Sequence, residues 1–391
     1  MGCLRIIGVE AIPVQMATRL SGLWSGPKVG TESEKNVATH VVIKIHSDDG
    51  LVGIGESQPT RHGSAEETTA TGIIKLTQKA STVLINNDPH QRELLFDKLD
   101  QVVGPCPATK AGIDTALFDL IGKWSDKPMF ELLGGNFRDK LPVEFLLTEK
   151  MAAPDKLTEE AAKATKLGYA FVELKVGADP KLDVQRVCAA REALGNKVSL
   201  KVDVNARYPN ASVAIQTIRK MEKYGVEFVE QPLDGSDIKG MAKVTAATDL
   251  NIIADTTALT LRALVENVVR RKAADAVHIK LCNGGIAMAM KMISVAEAAE
   301  IIPIVGASYA FGVGIAAAHQ IAATMQNLHR PDHYGRPYYA DDILSTPIKE
   351  KNGYVSISRK AGLGVDLEES KVTAFTRRQR ADELNRGLLN R

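Results

Sequence analysis

The chain has 391 residues, of which 45% are hydrophobic and 25% charged, as in ordinary globular proteins. Its 49 basic and 47 acidic residues leave a net charge of +2, which favours neither a nucleic-acid partner nor a membrane surface. The length exceeds that of one core of ordinary size and predicts two structural units.

The cysteines and the first residues predict a cytoplasmic protein. No CxxC pair occurs, which indicates free thiols in a reducing compartment at Cys3, Cys106, Cys188 and Cys282. The opening MGCLRIIGVEAIPV lacks the long apolar run of a signal peptide, and the isoleucine at its sixth position does not fit the myristoylation pattern. No apolar run reaches the length of a membrane span.

The first third of the chain predicts an α+β unit. Residues 4–14 and 38–46 alternate as strands do, and the Asp-Asp-Gly at 48–50 predicts a hairpin turn into LVGIGES. Helical patterns follow over 65–103 and 109–123. Strands followed by helices indicate an antiparallel sheet with helices on one face.

After the Gly-Gly at 134–135, short apolar strands alternate with helices about every 25–30 residues. Seven such repeats favour a closed parallel barrel over an open sheet. We predict an α/β fold, a modified (β/α)-barrel over 139–344 with a capping domain of residues 1–138 completed by 345–391. Its strands are expected at 143–148, 170–176, 198–205, 226–232, 250–256, 275–281 and 302–308, with 337–343 as the candidate eighth. The tail, with a strand at 352–358 and a Gly-rich turn at 362–364, is expected to return to the first unit.

Three carboxylates end consecutive predicted strands. Asp203, Glu230 and Asp255 are spaced by 27 and 25 residues, and active sites of parallel barrels lie at the C-terminal strand ends. One such acid is commonly a helix cap or a solvated loop residue. Three at matching positions supply the hard oxygen donors that a divalent cation such as Mg²⁺ prefers.

Two lysines flank these acids, since Lys175 closes the second barrel strand and Lys280 the sixth. A lysine at a strand end is commonly a surface residue. Beside a metal ion, however, an ammonium group can have a lowered pKa and serve as a general base.

The sequence motifs resemble those of the enolase superfamily, and most closely its muconate lactonizing enzyme (muconate cycloisomerase) subgroup. The resemblance runs over nearly the whole chain and is carried by DDGLVGIGE, AGIDTALFDLIGK, LLGG, KVDVNARY, FVEQPL, the Ala-Asp at 254–255 and IKLCNGGI. It implies a capping domain over a modified barrel and Mg²⁺, or Mn²⁺ in its place, on Asp203, Glu230 and Asp255. It also implies Lys175 and Lys280 as acid/base groups, an enediolate stabilised by the metal, and a homo-oligomer.

Candidate substrate contacts are less sharply defined. Residues 18–30 have the Gly- and Ser-rich composition of a mobile lid, or equally of a surface loop with one packed aromatic residue. The hydroxyl groups after the seventh strand can bind substrate or cap the next helix. We predict substrate contacts from Trp24, Glu56, Glu173, Asn205, Ser308 and Tyr309.

Two departures from the subgroup limit the prediction of the reaction. The subgroup usually has Lys-x-Lys at the end of the second strand, whereas this chain has Glu173 two residues before Lys175, on the same face. A glutamate neighbour raises the pKa of Lys175, which favours it as an acid and Lys280 as the base. Related enzymes tend to carry a glutamate at the place of Ala310. His278, inside the sixth strand, is interpreted as a packed histidine.

The leading hypothesis is therefore a cycloisomerase of the muconate-lactonizing type acting on a small carboxylate. The absence of a histidine at the seventh strand end argues against the mandelate branch. Alternatives are a racemase or epimerase of N-acylamino acids, dipeptides or proline derivatives, an acid dehydratase, and an inactive barrel that serves as a binding protein.

Overall fold

The computed structural model describes residues 4–18, 37–60, 64–147, 154–332 and 338–376. The predicted lid beyond Thr18, with its Trp24, lies outside these residues, as does Cys3. Cys106, Cys188 and Cys282 are free thiols, as predicted. Among the described helices, none combines the length and the apolar composition that crossing a membrane requires.

The N-terminal unit is a three-stranded antiparallel sheet covered by helices, which confirms the predicted α+β arrangement. Its strands are β1 (Ile6–Ala17), β2 (Val37–Ser47) and β3 (Val52–Ser57), and its helices are α1 (Ala70–Leu84), α2 (Arg92–Val103) and α3 (Pro107–Ser125). The turn between β2 and β3 contains Gly50 at a φ of +86°, a conformation that glycine adopts without strain.

Apolar side chains on both faces of β2 explain why the sheet lies between two hydrophobic cores. Val41, Ile43 and Ile45 pack against the helices of the cap, whereas Val42 on the opposite face belongs to the core that includes the barrel. Because successive side chains of a strand point to opposite faces, one apolar strand contributes to both cores.

The central unit is a curled sheet of seven parallel strands in sequence order among the described residues. These are β5 (Glu144–Leu147), β6 (Phe171–Lys175), β7 (Ser199–Asp203), β8 (Val226–Glu230), β9 (Asn251–Ala254), β10 (Ala276–Lys280) and β11 (Ile302–Gly306). The helices between and after them are α5 (Pro154–Lys166), α6 (Pro180–Leu194), α7 (Ala211–Glu222), α8 (Ile238–Ala247), the short α9 (Leu261–Ala263) continued by a π-helical turn (Leu264–Val269), α10 (Gly285–Ala298) and α11 (Gly312–Thr324). All seven predicted strands are therefore present.

The predicted eighth strand is wrong over its described part. Tyr339 forms an isolated bridge with Thr18, and the amide of Ala340 donates to the carbonyl of Ala17, so this segment runs along the cap. The gap between β11 and β5 is instead bordered by the segment 330–332, whose Asp332 carbonyl accepts a hydrogen bond from the amide of Glu144 at 3.3 Å.

The tail only partly follows the prediction. Strand β12 (Glu350–Lys351) pairs with β13 (Tyr354–Ser356), and β13 pairs with β4 (Lys140–Pro142). Strand β4 directly precedes the barrel and follows the short helix α4 (Met129–Leu132). The Gly-rich turn does return to the first unit, because the amide of Leu363 donates to Asp119 of α3 at 2.7 Å.

Two buried aspartates in the AGIDTALFDL motif explain how α3 joins the units. Asp114 accepts hydrogen bonds from the side chain of Arg92 at 2.6 Å and from the amide of Ala287, at the start of α10, at 2.9 Å. Asp119 accepts from the amides of Ile54 and Leu363. The motif therefore holds the cap, the barrel and the tail together.

Candidate active site

The five predicted catalytic and metal-binding side chains lie at the C-terminal ends of successive strands. Lys175, Asp203, Glu230 and Lys280 are the last residues of β6, β7, β8 and β10, and Asp255 directly follows β9. Lys175, Asp203 and Glu230 are almost completely buried. Their burial means that every charge here needs a partner within the protein.

Lys175 lies between two carboxylates. Its Nζ is 2.5 Å from Oδ2 of Asp203 and also contacts Oε1 of Glu173. Burial by itself lowers the pKa of Lys175, but the charges of Asp203 and Glu173 raise it well above the ordinary value of lysine. The geometry therefore supports a protonated Lys175, in line with the effect expected from Glu173.

Lys280 lies on the other side of the three acids, with β7, β8 and β9 between it and β6. Its Nζ is 2.6 Å from Oδ1 of Asp255. Burial alone lowers the pKa of Lys280, whereas the nearby Asp255 raises it. Both lysines are thus paired with carboxylates, and Lys280 alone is partly exposed, with 20% of its side chain accessible.

The chemistry of the donor set fits a divalent cation. One ligand atom each from Glu230, Asp255 and His278 lie within 4.8 Å of one another, the spacing needed to surround one ion. Asp203 is the register partner of Glu230 on the neighbouring strand. Its carboxylate accepts hydrogen bonds from the amide and the side chain of Asn205 as well as from Lys175.

His278 is buried, as the sequence predicted, but it contacts Glu230, one of the three predicted metal ligands. Its Nδ1 is 3.0 Å from Oε1 of Glu230, and its Nε2 is 3.5 Å from Oδ2 of Asp332. Burial alone lowers the pKa of His278, but Glu230 and Asp332 raise it to about 10. The two ring nitrogens of His278 thus face two different carboxylates.

Sequence reasoning missed a buried ionic network below these groups. Lys201 Nζ is 2.7 Å from Glu173, 2.9 Å from Glu230 and 3.1 Å from Glu144. Arg330 in turn contacts Glu144, with Nε at 2.6 Å from its Oε1. The alternation of side chains along a strand could have revealed this network, since Lys201 precedes Asp203 by two residues and therefore shares its inward face.

Four of the residues predicted to contact substrate lie at or near the C-terminal ends of barrel strands. Asn205 donates a hydrogen bond to Asp203, and Glu173 pairs with Lys175 and Lys201; their contact with substrate stays a prediction. Ser308 and Tyr309 follow β11 with φ values of 53° and 63°, unusual for non-glycine residues and common at functional sites. Their contact with substrate stays a prediction.

Glu56 connects the N-terminal sheet to the start of α11. Its carboxylate accepts hydrogen bonds from the amides of Phe311 and Gly314, at the start of α11, and lies 2.7 Å from His40. A carboxylate on the first amides of a helix satisfies donors that have no partner within the helix. Glu56 thus joins the cap to the barrel, and its contact with substrate stays a prediction.

Two family models match this chain. Residues 156–371 match the "Enolase C-terminal domain-like" family and residues 23–134 the N-terminal domain of the mandelate racemase / muconate lactonizing enzyme family. The chain belongs to the mandelate racemase / muconate lactonizing enzyme family. It is therefore a metal-dependent isomerase, as the resemblance of its motifs implied.

Known relatives of the chain carry out different reactions. The N-succinyl-L-Arg/Lys racemase of Bacillus cereus is 30% identical over 86% of this chain and 90% of the relative. The muconate lactonizing enzyme of Pseudomonas fluorescens, solved with muconolactone, has a TM-score of 0.87 and 28% identity over 96% of this chain and all of that one. The dipeptide epimerase of Enterococcus faecalis, solved with Mg and L-Leu-L-Tyr, has a TM-score of 0.83 and 26% identity over 93% of this chain and 99% of that one.

Proposed function

We propose that this chain is a Mg²⁺-dependent isomerase of a small carboxylate whose reaction passes through an enediolate. Among the reactions of its relatives, cycloisomerisation of the muconate-lactonizing type fits the site best. The observation that carries this choice is the position of Lys175 between Glu173 and Asp203.

Glu173 makes Lys175 an acid whether or not Asp203 binds a metal ion. Glu173 is not among the donors around the metal centre and is fully buried, so its charge stays beside Lys175. A buried ammonium in contact with a buried carboxylate gains little by losing its proton. Lys175 is therefore suited to deliver a proton rather than to remove one.

Cycloisomerisation needs such an acid. One carboxylate of an unsaturated diacid adds to a carbon–carbon double bond, forming a carbon–oxygen bond and leaving the electron pair as the enediolate of the other carboxylate. The α-carbon then takes the proton of Lys175, and the reverse reaction removes the same α-proton. When bound by Asp203, Glu230 and Asp255, a divalent cation stabilises the negative charge of the enediolate oxygens.

Racemisation or epimerisation is the second candidate. Lys175 and Lys280 end strands on opposite sides of the three acids, so that an α-proton can leave on one face and return on the other. The similarity to a racemase and a dipeptide epimerase supports this alternative. It requires one of the two lysines to be neutral, which their carboxylate partners oppose.

Proton exchange in D₂O with Mg²⁺ tests the proposal. Wild type, Lys175→Gln and Lys280→Gln are compared on muconates, N-acylamino acids, dipeptides and proline derivatives. Cycloisomerisation predicts turnover of a muconate that is lost with Lys175→Gln. Exchange of both enantiomers of an amino-acid derivative, dependent on both lysines, would identify an epimerase instead. No exchange with any substrate, together with no binding of Mg²⁺, would contradict the enolising site.

The remaining expectations belong to the same proposal. A small carboxylate is the expected partner, and the homo-oligomer and the cytoplasmic location stay predictions. Size-exclusion chromatography with light scattering measures the oligomeric state directly.

A further inference from the structure

His278 occupies a position from which it can bind a metal ion directly. Its Nδ1 lies 3.0 Å from Oε1 of Glu230, and one ring nitrogen of His278, one oxygen of Glu230 and one oxygen of Asp255 lie within 4.8 Å of one another. Ligand atoms about 2.1 Å from one ion and at right angles to each other are about 3 Å apart. The separation of the imidazole and the Glu230 carboxylate therefore fits two neighbouring ligands as well as it fits a hydrogen bond.

A second observation concerns the other ring nitrogen. Nε2 of His278 faces the Asp332 carboxylate at 3.5 Å, and Asp332 is completely buried. Histidines that bind metals through one nitrogen typically donate the other N–H to a carboxylate, which fixes the ring orientation and increases ligand basicity. The arrangement of Asp332, His278 and the acids follows that pattern.

The backbone leaves space for this pair of side chains. A Cβ at Gly306, the last residue of β11, would overlap both the Asp332 carboxylate and the His278 ring. Gly306 is paired with Lys280 across the strands, so the space lies directly beside the catalytic groups. The absence of a side chain at this position lets Asp332 approach the imidazole.

We propose that His278 is a nitrogen ligand of the metal centre, and that the centre therefore binds first-row transition ions such as Mn²⁺ and Co²⁺ more tightly than Mg²⁺. The inference rests on the proposed function in that the ion is the one held by Asp203, Glu230 and Asp255. Imidazole is a poor ligand for Mg²⁺, which prefers oxygen, but a good one for later divalent ions. One nitrogen among the carboxylates thus raises the affinity for these ions relative to Mg²⁺, which the carboxylates still bind.

The first experiment detects the nitrogen itself. Mn²⁺ is added to the full-length chain, and electron spin-echo envelope modulation records ¹⁴N nuclei coordinated to the ion. We expect ¹⁴N modulation in wild type and in His319→Asn, the matched control for a buried histidine on α11, and its loss in His278→Asn. The wild-type spectrum alone decides the ligand, so the test does not depend on the folding of the variant.

The second experiment measures selectivity by calorimetric titration with Co²⁺ and with Mg²⁺. Asp332→Asn keeps the His278 ring but replaces the carboxylate that faces its Nε2 with a neutral amide. We expect the Co²⁺ affinity to fall at least about tenfold relative to that for Mg²⁺. Bound Mn²⁺ without coordinated nitrogen would overturn the inference, and so would an unchanged Co²⁺/Mg²⁺ ratio; both outcomes leave the enolising site intact. Wild type that binds none of the three ions would overturn this inference and the proposed function together.

Discussion

Replacing Glu173 with glutamine should change the pH dependence of catalysis. The substitution keeps the shape of the side chain but removes the negative charge that contacts Lys175 and lies 2.7 Å from Lys201. An opposite charge at such distances shifts a pKa by about one to three units. Loss of Glu173 should therefore lower the pKa of Lys175 by about that amount.

The direction of the kinetic effect follows from the role of Lys175 as an acid. Activity requires the protonated ammonium and is lost as the pH rises through its pKa. Glu173→Gln should therefore move the basic limb of the kcat profile to lower pH by about one to three units, which corresponds to about 1.4–4 kcal/mol. Glu173→Lys should move it in the same direction and further, because it adds a like charge.

Stability gives a second measure of the same interaction. Removing one partner of a buried ion pair costs about 3–5 kcal/mol, and the lower end is expected because Lys201 keeps Glu144 and Glu230. Urea unfolding at pH 7 measures this loss. Glu144→Gln is the matched control, since Glu144 is equally buried and contacts Lys201 but not Lys175. Equal shifts of the basic limb in both variants, or none in Glu173→Gln, would refute the reasoning.

Three further predictions concern the fold. Asp114→Ala should lower the free energy of unfolding by about 3–5 kcal/mol, because it leaves a guanidinium and a helix amide without their carboxylate; the exposed Asp97→Ala should have little effect in the same urea titration. Gly306→Ala should cost about 1–3 kcal/mol through overlap in the barrel interior, and a melting temperature equal to that of wild type would contradict it. Burial lowers the pKa of His319 to about 3, below that of the unfolded chain, so the unfolded state binds the extra proton and stability is lost as the pH falls from about 6.5 toward 3. Between pH 7 and 5 this group should account for about 2 kcal/mol, a loss that His319→Gln should abolish and His90→Gln should leave in place, as measured by urea unfolding at both pH values.

Local patterns were enough to predict the strands and their functional ends. Each barrel strand is a short apolar run with a polar residue at its C-terminal end, so Asp203 and Glu230 could be placed from the sequence alone. The period of two also paired Glu173 with Lys175, a contact that the structure contains. These inferences succeeded because they depend on residues that are close together along one strand.

Predictions that required contacts between distant segments were less successful. The candidate eighth strand has strand-like composition, yet its backbone at Tyr339 bridges to Thr18 of the cap. The hydrogen bonds of Glu56 were likewise not predicted, since its carboxylate accepts from the amide of Phe311 at the start of α11, 255 residues further along the chain. In both cases the docking of the cap on the barrel determines the partner.

The sequence by itself determined the family, the barrel and the strand-end acids and lysines, because periodicity and motif spacing are local properties of the chain. Only the tertiary structure decided that Lys201 joins Glu173 to Glu230 and that His278 lies between Glu230 and Asp332. Those contacts depend on the stagger between neighbouring strands and on the curvature that brings β8, β10 and the segment before residue 333 around one interior. Burial then gives them their chemical effect, since charges removed from water must be neutralised by whichever side chains the fold places next to them.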